Sequence, residues 1–178
     1  MKNIFYLSAI ASVIVLSTAC NDNRRAKNYN EKTLVDDMGL AFIKTANEGS
    51  LTEIKAATVA QSKSQNPRVI NFAKMMIADH TAAGKELQQL ADKKDVVHND
   101  NVISKEHQQM ISEMGKLNGT EFDKAYMGMM VTDHVKTIEG FKSVTRNTSK
   151  ALNDYAEKTL PKLMMHLDSA KAINASLK

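Results

Sequence analysis

The chain has 178 residues, 43% of them hydrophobic, with a formal net charge of +4 and one cysteine. That length allows one domain with a proper core, and a lone cysteine excludes disulfide bonds within the chain. Charges of both signs are interspersed, which excludes a nucleic-acid-binding patch or a basic membrane-binding stripe.

The N-terminus comes first. Met1-Lys2-Asn3 is a positive start, Ile4 to Leu16 is apolar, and Ser17-Thr18-Ala19-Cys20 closes the run. This is the layout of a secretory signal over residues 1–19, too short for a bilayer span of about 20 apolar residues. It resembles a bacterial lipoprotein signal, in which a small-residue box ends on a cysteine that is then lipidated. Leu16 stands one residue further from Cys20 than in the commonest box. The resemblance implies acyl chains on Cys20 and a protein hung from a membrane rather than spanning it. The other reading is cleavage after Ala19, on Ser17-x-Ala19, which leaves a free thiol. Asn21 is not the aspartate associated with inner-membrane retention in some bacteria. The expected location is therefore the outer membrane, facing the periplasm. Residues 20–33 are polar and aperiodic and read as a tether, and residues 34–178 as the folded domain.

Two prolines, seven glycines and no tryptophan, beside many Ala, Lys, Leu and Met, favour helix over strand in that domain. The first helix is expected from Leu34 to Lys63, with Ile43, Ala46, Ser50, Ile54 and Ala57 on one face. Asn66-Pro67 ends it and opens a second helix to about Lys94, on which Val69, Ala73, Met76, His80, Ala83, Leu87 and Leu90 follow the helical step. Residues 95–101 are a loop. A short amphipathic helix runs from about Ile103 to Leu117 and stops at Asn118-Gly119. A third long helix runs from Thr120 to about Arg146. A fourth runs from Lys150 to Leu177, with a kink expected at Pro161. Short turns make two antiparallel hairpins. About 25 residues between them allow a crossover that sets the second and third long helices parallel. The expected fold is all-α, a ferritin-like four-helix bundle with a short extra helix in the crossover.

An internal repeat carries the candidate chemistry. Phe72-Ala73-Lys74-Met75-Met76-Ile77-Ala78-Asp79-His80 reads against Tyr126-Met127-Gly128-Met129-Met130-Val131-Thr132-Asp133-His134, and Met164-Met165-His166 repeats the Met-Met-His. Counting about thirteen to seventeen residues from the turns, at about 1.5 Å rise each, puts Glu53, His80, His134 and His166 within about one helical turn of a common layer. Asp79 and Asp133 stand one residue aside, within reach of a histidine on an adjacent helix. Imidazole and carboxylate ligands suit zinc, iron or copper, and Met76, Met130 and Met165 would suit copper in particular. The competing reading is a buried polar layer in which a carboxylate satisfies each ring, with the methionines as core filler. His98 and His107 read as solvated.

The blocks NFAKMMIADHTAAGKEL, FDKAYMGMMVTDHVKTIEGF and LPKLMMHLDSAKAI resemble the bacterial envelope family catalogued as domain of unknown function 4142, over about Asp37 to Ile173. The resemblance implies a helical bundle of the ferritin-like superfamily in the cell envelope, with no known reaction. Ferritin-like di-iron enzymes carry Glu-x-x-His on two helices, and this chain has none. It also lacks a phosphate loop, a nucleophilic serine motif and a cysteine pair, which points away from an enzyme. The expected function is a lipid-anchored binding or stress-protective envelope module with a mid-bundle metal site. A ferritin-like metalloenzyme, a Met/His copper-binding protein and a structural or interaction protein remain as alternatives. The pattern sets no oligomeric state.

Overall fold

The computed structural model describes residues 35–93, 96 and 102–177. The signal-like segment, Cys20, the tether and His98 lie outside the described residues. All regular structure among the described residues is helical: α1 Asp37–Lys63, α2 Pro67–Lys93, α3 Lys105–Lys116, α4 Gly119–Val144 and α5 Lys150–Ser176. None of these helices is long and apolar enough to cross a membrane.

Local chemistry sets the boundaries. α1 starts at Asp37, three residues later than the periodicity suggests, because the Asp36 carboxylate caps it by accepting the Gly39 N–H at 2.8 Å. The same carboxylate accepts from Asn147 Nδ2 at 2.7 Å and Thr148 Oγ1 at 3.1 Å, tying the start of α1 to the α4–α5 turn. Pro67 occupies the first position of α2, where its missing N–H costs nothing. Ser104 caps α3 through the His107 N–H at 3.2 Å. Gly119, at φ 54°, takes the left-handed backbone that separates α3 from α4. α5 runs as one helix through Pro161, which lies on its exposed side.

The helices form a bundle in which α1 packs on α2 and α4, and α5 on α2 and α4. Tyr155 donates to the Ala83 carbonyl, Lys162 pairs with Asp79 and Arg68 donates to Ser176 Oγ, so α5 climbs as α2 descends. α1 begins where α4 ends. Both α2 and α4 are thus antiparallel to α1 and run parallel to each other. α3 returns the chain along the seam of α1 and α4. Its start is held by Glu48, and its end by a bond from Lys63 to the Gly115 carbonyl.

This docking changes which face of α1 is buried. Thr52, Ala56, Ala57 and Ala60 are enclosed, whereas Ile54 is only partly covered, because α3 covers a second side of α1. Small side chains there let the helices approach closely. The apolar core divides into two clusters. One is built around Phe72, Met76, Phe122, Tyr126 and Met130, the other around Phe42, Leu87, Phe141, Leu152 and Tyr155. The buried polar residues Glu53, His80, His134 and His166 belong to neither.

Candidate metal centre

Four helices each send one buried polar side chain to the middle of the bundle: Glu53 from α1, His80 from α2, His134 from α4 and His166 from α5. Their exposures are 3%, 5%, 0% and 1%. The three ring centroids form a near-equilateral triangle with sides of 5.7, 5.5 and 5.4 Å. One ring nitrogen from each histidine lies within 4.8 Å of the others.

Hydrogen bonds fix the protons on two of the rings. His134 Nδ1 lies 2.9 Å from the Met130 carbonyl and 3.5 Å from Glu53 Oε1. Both oxygens only accept, so Nδ1 carries the hydrogen and Nε2 carries a lone pair. His166 Nε2 lies 2.9 Å from Asp79 Oδ2. Burial works to raise the Asp79 carboxyl, but hydrogen bonds from Lys162 and His166 outweigh it and hold the carboxyl below its ordinary range. Asp79 is therefore an ionised acceptor, His166 Nε2 donates to it, and Nδ1 is left with the lone pair.

The two lone-pair nitrogens, His134 Nε2 and His166 Nδ1, face each other at 3.3 Å. Burial pushes both imidazoles below their ordinary pKa, and Glu53 and Asp79 oppose that only in part. Neutral at neutral pH, the rings set acceptor against acceptor in a dry interior, an arrangement that does not satisfy itself. A cation between them would resolve it. Two nitrogens on a tetrahedral ion at about 2.0–2.1 Å lie about 3.3 Å apart.

Glu53 and His80 complete the layer. Glu53 Oε2 and His80 Nε2 are 2.8 Å apart. They form a close but poorly aligned ion pair, and neither atom has another hydrogen-bond partner. Burial raises the Glu53 carboxyl, but the facing rings, His80 foremost, hold it below its ordinary value. A buried carboxylate of this kind needs a positive partner, which an imidazolium or a metal ion would supply. The donor set of three imidazoles and one carboxylate fits a transition-metal ion. Met130 and Asp79 supply the outer hydrogen bonds that orient ligand imidazoles.

The other residues singled out in the sequence are placed differently. Asp79 stands behind His166 rather than among the converging atoms. Asp133 lies to the side of the layer, where burial and then the Glu53 charge raise its carboxyl. Met76 and Met130 are buried in one apolar cluster, while Met165 is 44% exposed on the outer side of α5. His107 is not simply solvated: its Nδ1 lies 2.7 Å from Glu48 Oε1, and the pair holds α3 to α1. The α3 contact that fixes His107 is tertiary, and its only trace in the sequence is a histidine on an amphipathic face.

A cavity of about 470 Å³ opens between α1 and α4 and reaches inward to Ala83 of α2 and to Tyr155 and Leu163 of α5. Glu53 and His80 form part of its wall, whereas His134 and His166 do not.

The family described as "Domain of unknown function (DUF4142)" matches residues 25–173. No curated protein and no solved structure matches the chain at a significant level.

Proposed function

Because the chain belongs to the DUF4142 family, whose description assigns no activity, we propose a function from the site itself: an envelope module whose helical bundle holds a transition-metal ion at mid-height. The observation that carries this reading is the convergence of three buried histidine nitrogens, two of them 3.3 Å apart, beside a buried carboxylate. His80, His134 and His166 would be the nitrogen ligands and Glu53 the oxygen ligand. An ion held there would supply Lewis-acid or redox chemistry. Iron, zinc and copper all accept this donor set.

The crossover carried by α3 and the parallel α2 and α4 support a ferritin-like arrangement. The centre differs from the di-iron pattern in having one carboxylate and no Glu-x-x-His. A single-metal binding or protective role therefore fits better than oxygenase chemistry. Methionine-assisted copper binding fits less well, since Met165 faces outward. Attachment through Cys20 to the outer membrane, facing the periplasm, completes the proposal. It rests on the signal-like sequence of residues 1–20.

The test is metal analysis of the protein purified from its native membrane without chelators. One equivalent of a single transition metal, lost in His134→Ala and His166→Ala, is the expected result. A protein free of metal that binds none of the three ions tightly would overturn the reading.

A further inference from the structure

The cavity beside the histidine layer gives the proposed metal site a second property, one that rests on the metal reading. We infer that the site is open on one side and takes an amphiphilic small molecule whose anionic oxygen-donor head reaches the metal and whose apolar part fills the cavity.

Three observations carry this. First, the cavity wall includes Glu53 and His80 but neither His134 nor His166. An ion in the layer would be backed by the latter two and would present an open coordination position to the cavity. Four protein ligands close a tetrahedral ion, whereas a five-coordinate ion held by the same four keeps one position for an exchangeable ligand. Second, Glu53 and His80 line the cavity as residues, and behind that wall Glu53 Oε2 and His80 Nε2 lie 2.8 Å apart in poor hydrogen-bond alignment with no other partner. Buried atoms of that kind call for a partner. Third, much of the remaining wall is apolar or small, with Phe42, Ala46, Phe141 and Leu163 among it, and the polar side chains Glu48, His107, Asp133 and Lys136 also line it. At about 470 Å³ the space lies within the size range of small-molecule sites, about 300–1,000 Å³. The added Cβ of Gly49 or Gly140, both on the lining, would meet nothing within 4 Å.

The head group is set by charge. A divalent ion with neutral imidazoles and one carboxylate keeps one positive charge. Glu48 is already paired with His107, and Lys136 on the lining is offset by Asp133, so the ion's remaining positive charge decides. An anionic head is favoured over a cationic one.

The full-length protein loaded with Co²⁺ tests this, with acetate and octanoate as probes and the visible cobalt spectrum as the readout. Octanoate should shift the spectrum at a concentration at least tenfold below that needed for acetate. Gly140→Phe should remove that preference while leaving cobalt stoichiometry unchanged, because the new ring occupies the cavity without touching the ligands. Gly49→Leu should act in the same direction. Cobalt bound normally with a spectrum that octanoate does not move would overturn the open site and leave the metal reading standing. A preference for octanoate that survives both substitutions would overturn the cavity as its seat. Failure to bind cobalt at all would overturn both readings.

Discussion

Replacing His166 with leucine separates a metal-holding layer from a purely structural one. The His166 ring is 1% exposed and makes two contacts of consequence. Its Nε2–H donates to Asp79, but that carboxylate keeps Lys162 at 2.8 Å and is partly open to solvent, so the substitution strands no buried charge. Its Nδ1 faces the His134 lone pair at 3.3 Å, and leucine removes that acceptor–acceptor opposition while keeping the site filled with apolar atoms. Without metal the variant should lie within about 1 kcal/mol of the parent, since removing a poorly satisfied polar group in favour of an apolar one of similar shape is nearly neutral. With metal the two should diverge. An ion at a thousand times its Kd stabilises the folded parent by about 4 kcal/mol, which for a domain of this size raises Tm by about 8–16 °C. His166→Leu should lose that rise. Thermal melts followed by circular dichroism, in chelator and in excess Co²⁺ or Zn²⁺, measure both quantities. A variant destabilised by about 1–3 kcal/mol in chelator, beside a parent whose Tm ignores metal, would refute the reasoning and favour a self-satisfied polar layer.

Tyr126→Phe should stabilise the protein by about 1 kcal/mol in urea denaturation, because the Tyr126 hydroxyl is buried without a partner while its ring packing against Phe72 and Phe122 is kept; a loss of stability would mean that the hydroxyl has a partner. Asp36→Ala should cost about 1 kcal/mol, the usual value of an N-cap. The bonds from the Gly39 N–H and then Asn147 hold the Asp36 carboxyl below its ordinary value of 3.8. Its contribution is therefore complete above that pH and is lost as pH falls through the lower folded value. The variant's acid-denaturation curve should flatten in that window, and an unchanged curve would count against the clamp. Cys20→Ser should move the protein from the membrane fraction to the soluble periplasm or leave it unprocessed, and mass spectrometry finding an unmodified Cys20 in the native protein would end the anchoring proposal.

Helical type, the turns at Asn66-Pro67 and Asn118-Gly119, and the common level of Glu53, His80, His134 and His166 are all readable from the chain. Each depends on local rules: periodicity, capping and a fixed rise per residue. Counting from the turns is enough to bring four side chains to one height. It does not say which atom of each ring faces its neighbours. That depends on rotation about the helix axis and on rotamers, and a step of one residue turns a side chain by about 100°. Asp79 thus passes behind His166 instead of joining the converging atoms, Asp133 lies to one side, and Met165 faces outward. The positions of α3, the Glu48–His107 pair and the cavity between α1 and α4 are likewise tertiary. They arise where surfaces distant in sequence meet, and no periodicity within one helix encodes which partner will cover it.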